Sequence, residues 1–80
     1  MALRLVFLGR LADAAGTPER EVAPAATLAE VLAALEPALA EALAAGNVRI
    51  AVNGTLVADR AALILADGDE LAFLPPVSGG

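Results

Sequence analysis

Asp67-Gly68-Asp69-Glu70-Leu71-Ala72-Phe73-Leu74-Pro75-Pro76-Val77-Ser78-Gly79-Gly80 stands at the C-terminal end of the 80-residue sequence, and its reading decides the fold. Asp67-Gly68-Asp69 has the composition of a turn. Glu70 to Leu74 then reads as a strand, with Leu71 and Phe73 facing inward at period two. Pro75 and Pro76 end its pairing, because neither offers an N–H. The prolines also fix φ and favour an extended run. Gly79 and Gly80 carry no Cβ, so this end can pass through a slot too narrow for other residues. Six extended residues span about 20 Å, enough to carry a terminal carboxylate from one protein's surface into another's active site. Two readings stand at this point. The segment is a presented tail, or it is a frayed terminus of the kind common in small domains.

A strand that holds such a tail at a fixed point needs a central place in a sheet, and the chain supplies the neighbours. Leu3 to Gly9 alternates, with Leu3, Leu5 and Phe7 on the core face and Arg4, Val6 and Leu8 on the other. Leu8 is assigned to a partner surface, since its face is apolar on a side that can stay open. Val6 is assigned to a covered mid-sheet position. Arg10 to Ala15 fits one helical turn ended by Gly16, and Thr17-Pro18 turns the chain. Glu19 to Val22, short and polar, suits an edge strand. Thr27 with Glu30 makes a capping box. Leu28, Val31, Leu32 and Leu35 follow as one apolar stripe, which marks the main helix. Pro37 stops that helix near Glu36 and opens a second one to about Ala45, with Leu39 and Leu43 inward. Val48 to Val52 alternates as a strand. Asn53-Gly54 favours a tight hairpin turn, and Thr55-Leu56-Val57 returns from it. Asp59 to Ala62 is loop or helical turn, with Leu63-Ile64-Leu65 packing beneath it.

This order of elements predicts an α+β fold of the β-grasp, or ubiquitin-like, type. It has a mixed sheet of four to five strands, with one main helix across one face and the first and last strands parallel. The expected division is a body over residues 1–74 and an extended tail over 75–80. Nothing suggests a repeat, a linker or a second domain.

The absences narrow the chemistry. The sequence has no Cys, His, Lys, Tyr or Trp, and only two aromatic residues, Phe7 and Phe73. Disulfides and thiolate or imidazole metal sites are excluded. So are nucleophilic triads that need a His or Lys base. Asp67 and Asp69 stand close together, but a Ca²⁺ loop needs further oxygen ligands and a distal Glu at fixed spacing. The amide of Asn53 is explained by its turn. A net charge of −5 argues against a nucleic-acid partner and fits either an acidic body meeting a basic protein or simple solubility. No apolar run approaches a membrane span, and the N-terminus lacks the layout of a signal peptide. The expectation is a soluble cytoplasmic protein, acting on neither membrane nor nucleic acid, that catalyses nothing unaided.

Along its entire length the chain resembles the ubiquitin-like sulfur-carrier proteins, the MoaD/ThiS family. Three stretches carry the resemblance: Leu5-Val6-Phe7-Leu8 leading to Gly16-Thr17, then Ala51-Val52-Asn53-Gly54-Thr55-Leu56-Val57, and the C-terminal block quoted above. A bare Gly-Gly end is a weak signal. Asp-Gly-Asp-Glu, an apolar strand, Pro-Pro-Val-Ser and a final Gly-Gly together are a strong one. The resemblance implies that the Gly80 carboxylate is adenylated by a ubiquitin-activating-like adenylyltransferase with ATP. A sulfur donor system then converts it to a thiocarboxylate. In the molybdopterin branch, which the Pro-Pro-Val-Ser lead resembles, the tail enters the large subunit of molybdopterin synthase and supplies dithiolene sulfur. On this reading Gly80 carries the sulfur, Gly79 gives clearance, and Pro75, Pro76, Val77 and Ser78 form the inserted lead. The chain itself binds no cofactor; ATP belongs to the activating partner.

Leu8, Phe73 and Leu74 are candidates for docking near the tail root, with Asp67, Asp69 and Glu70 as acidic neighbours. Phe73 also shares the inward period of Leu71. Other functions stay open. The chain could carry sulfur for thiamine, tRNA thiolation or cysteine synthesis, or be a modifier joined to lysines through Gly80. It could also be a small structural domain with a frayed end.

Overall fold

The computed structural model describes residues 2–76. Val77, Ser78, Gly79 and Gly80, four of the expected site residues, lie outside them. Five strands form one sheet: β1 (Leu3–Phe7), β2 (Glu19–Val22), β3 (Arg49–Val52), β4 (Thr55–Leu56) and β5 (Glu70–Leu74), in spatial order β2-β1-β5-β3-β4. β1 and β5 are parallel, with Phe7 opposite Phe73. The other pairings are antiparallel. A parallel pair needs a crossover, and the helices between β2 and β3 provide it. The expected central place of the last strand is therefore met, because β5 is bonded on both sides.

The alternation in sequence becomes two faces. Leu3, Leu5, Phe7, Ile50, Leu71 and Phe73 lie on the inner face and are buried. Phe7 and Phe73 stack with ring centroids 5.7 Å apart and planes 11° from parallel. With only two aromatics in the chain, this pair is the densest point of a core otherwise built from Leu, Val and Ile. Each ring stabilises the fold by about 1.5–3 kcal/mol through burial.

Three helices cover that face: α1 (Arg10–Ala15), α2 (Leu28–Ala33) and α3 (Pro37–Ala44). A six-residue helix is marginal on its own, and α2 is fixed at its start by the expected capping box. Thr27 Oγ1 accepts from the Glu30 N–H at 3.2 Å. Glu30 Oε1 accepts from the N–H groups of Ala26 and Thr27. The break falls slightly earlier than the sequence suggests. Glu36 takes ψ 140°, the extended conformation that a following proline imposes, and α2 has already closed at Ala34. The helical layer is thus shared by two short helices, and α3 is the longer. Leu39 and Leu43 face inward from α3 as expected.

In the β4–β5 connection, a 3₁₀ turn at Arg60–Ala62 precedes a strap. The Leu65 N–H donates to Ala26 O at 2.8 Å. Leu65 is buried and Leu63 partly so, but Ile64 is 72% exposed. The expectation that all three pack together fails at Ile64, because an extended strap sends alternate side chains to opposite sides.

Candidate functional site

The tail root is built where β5 ends. Leu74 is its last strand residue and lies opposite Arg49 of β3. On the other flank, the Leu8 N–H donates to Phe73 O at 3.1 Å, which carries the β1–β5 pairing up to the first proline. Gly9 follows with φ 55° and ψ −135°, a region open essentially to glycine. A β-carbon at Gly9 would lie 3.1 Å from Pro75 Cγ. The proline ring is therefore seated directly on the Gly9 backbone, and both prolines are half-buried. Gly9 is a site residue that sequence reasoning missed.

The expected docking residues separate. Leu8 is 41% exposed and Leu74 half-buried, both beside the root. Phe73 is 0% exposed and stacked on Phe7. It is core, as its period with Leu71 indicates, and is not available to a partner; it forms the floor under the root.

Val6, expected to be covered, is only partly so. It pairs with Ala72, Ala72 with Ala51, and Ala51 with Leu56. These four side chains form one row across the sheet face that the helices leave open, and it ends at Leu56, 60% exposed. The alternation within each strand was legible, but the row appears only once the registers are known.

The acidic residues also fall elsewhere than expected. Asp67 and Asp69 precede β5 and Glu70 begins it, whereas Pro75 follows its other end, about 13 Å away at strand rise. Asp69 acts locally. Its carboxylate accepts from the Ala66 N–H at 2.8 Å and from the Asn53 side-chain amide at 3.0 Å. Those two bonds hold its pKa below the ordinary carboxylate value, the Ala66 bond most. Asn53 returns the contact by accepting from the Glu70 N–H. Its amide therefore locks the β3–β4 turn to β5. The turn is as expected, with φ 51° at Asn53 and 85° at Gly54.

What surrounds the root is basic. A cleft of about 730 Å³ is lined by Arg49, Arg60, Leu56, Leu74, Pro75 and Pro76, among others. A smaller one, about 290 Å³, adjoins it between α1 and α3, sharing Asn47, Val48 and Pro76 and with Arg10 in its wall. Among the described residues no group of three His, Cys, Asp or Glu side chains could hold a metal ion. No helix among them is long and apolar enough to cross a membrane. The arrangement is a firm seat for Pro75, beside the row of Val6, Ala72, Ala51 and Leu56.

The fold agrees with the comparisons. The chain belongs to the ThiS family, whose model matches residues 5–80. It is 40% identical to the molybdopterin synthase sulfur carrier subunit of Escherichia coli (strain K12), covering 98% of this chain and 99% of that one. Among solved structures it is similar to SAMP1 of Haloferax volcanii, with 31% identity, TM-score 0.79 and full coverage of both chains. It is also similar to a chain in the complex of subunits 1 and 2 of the molybdopterin-converting factor of Helicobacter pylori 26695. There the identity is 30% and the TM-score 0.69, again over the whole of both chains.

Proposed function

We propose that this chain is the sulfur-carrying small subunit of a molybdopterin synthase and that Gly80 carries the sulfur as a C-terminal thiocarboxylate. The observation that carries the proposal is the seating of Pro75 on Gly9 at the end of a doubly paired central strand. A tether delivers its end group only if its base is held. The identity with the Escherichia coli sulfur carrier supports the same reading.

The chemistry needs no reactive side chain on the carrier. A carboxylate is a poor electrophile. Attack of the Gly80 carboxylate on the α-phosphorus of ATP, in an adenylyltransferase, expels pyrophosphate and leaves an acyl-adenylate. A persulfide from a donor system then displaces AMP to give an acyl disulfide, and a thiol attacks the donor-side sulfur, so that the donor leaves as a disulfide with that thiol and the thiocarboxylate remains on Gly80. The loaded tail enters a large subunit and gives up that sulfur to the pterin. The large subunit docks on the open-face row of Val6, Ala72, Ala51 and Leu56 with Leu8 and Leu74 beside it, the surface from which the tail departs. The two-subunit Helicobacter complex supports such a partner.

A second reading has its own support. The similarity to SAMP1, a small archaeal modifier protein, favours conjugation of Gly80 to lysines of other proteins. One experiment addresses both. Removing Gly80, or adding one residue after it, abolishes sulfur loading while the fold, followed by circular dichroism, is unchanged. Loading that survives either change refutes the role of Gly80. Lysine-linked conjugates with no sulfur-loaded form favour the modifier reading.

A further inference from the structure

We infer that Arg10, Arg49 and Arg60 form a basic collar around the tail root, recognised by a carboxylate-lined rim on the protein that activates the tail. The inference rests on the proposed role of Gly80. It concerns how the chain is gripped rather than what chemistry it undergoes.

The five arginines divide by place. Arg4 pairs with Glu19 at 3.7 Å and Arg20 with Glu36 at 3.1 Å, both away from the root. Arg49 and Arg60 line one cleft that Pro76 borders, and Arg10 lines a second that also includes Pro76. Asp13, Glu41 and Asp59 stand on the same elements or next to them. Among the described residues, none of these carboxylates lies within 4 Å of an Arg10, Arg49 or Arg60 nitrogen. Asp59 is instead turned to the Ala61 N–H. A chain of net charge −5 therefore presents its uncompensated cations where the tail leaves.

The tether makes that position matter. Val77 to Gly80 reach at most about 14 Å beyond Pro76. Any protein that acts on Gly80 must therefore bring the mouth of its slot against the root and the collar. A desolvated or facing pair of like charges is costly, and a complementary one steers docking.

The layout fits a protein rim better than one small anion. Arg10 lines a different cleft from Arg49 and Arg60. Arg60 already donates to Ala45 O at 3.2 Å and Val48 O at 3.5 Å. The guanidinium groups thus do not converge on a single point, but they match carboxylates spread around an opening.

The test is the steady-state kinetics of ATP-dependent activation of the full chain by its adenylyltransferase, followed by pyrophosphate release at several NaCl concentrations. Arg60 is left intact because it holds the loop. The Arg10→Glu/Arg49→Glu double variant, with wild-type thermal unfolding, raises the KM for the chain about tenfold with kcat unchanged, and loses most of the salt dependence of KM. Arg4→Ala changes neither. Three results overturn the collar: a wild-type KM and salt slope in the double variant, an equal loss in Arg4→Ala, or inhibition by inorganic phosphate beyond that of NaCl at equal ionic strength. A chain lacking Gly80 separates the two ideas. If it is inert while the double variant behaves as wild type, the collar alone fails. If it is still activated, the role of Gly80 fails and the collar with it.

Discussion

Gly9 shows how a single residue sets the base of the tail. Its φ of 55° is costly for any residue with a side chain, and a β-carbon there would press on the ring of Pro75, 3.1 Å from its Cγ. Gly9→Ala therefore destabilises the fold by about 1–3 kcal/mol, seen as a lower midpoint in urea. It also slows sulfur loading by displacing the proline. An unchanged midpoint and loading rate would show that the seat is not needed. Nothing in the sequence near Gly9 announces this role, because its contact comes from the opposite end of the chain. Phe73 is the converse case. Its alternation with Leu71 already placed it in the core, and complete burial removes it from the docking surface.

At the scale of elements, local signals were the most legible. The Thr27–Glu30 box, the Pro37 break and the Asn53-Gly54 turn each act within a few residues; the box and the turn form as read, and the break falls two residues early, at Ala34 rather than Glu36. Ile64 was misread because an apolar triplet does not say which of its members a strap turns outward. The lock between the β3–β4 turn and β5 was not legible either, since Asn53 and Asp69 meet only through the β3–β5 register. The lock is sensitive to pH, with a definite sign. The folded-state pKa of Asp69 lies below its ordinary value. Its contribution is therefore complete above the unfolded-state pKa, about 3.9, and is lost as pH falls through the lower folded-state value. Urea midpoints of wild type and Asp69→Asn should differ by a constant amount near neutrality and converge in that acid window. Parallel midpoints throughout the window would mean that Asp69 contributes nothing by its charge.

At the scale of the molecule, the topology follows from one demand, that the last strand be central. Parallel pairing with β1 on one side and antiparallel pairing with β3 on the other meet it. The order of elements was enough to derive this. The distribution of charge was not, because Arg10, Arg49 and Arg60 are scattered in sequence and gather only at the root. The acidic turn proved to lie at the other end of β5. The result is an acidic body whose tail leaves from a basic end, on a firm seat and beside an apolar sheet face. On the function proposed above, such a body carries a group that another protein installs and a third removes. The intact mass of the chain purified from its native host tests this most directly. The account predicts a fraction in which one C-terminal oxygen is replaced by sulfur, confined by fragmentation to Gly80. A chain bearing no sulfur at Gly80 under conditions where molybdenum cofactor is being made would contradict it.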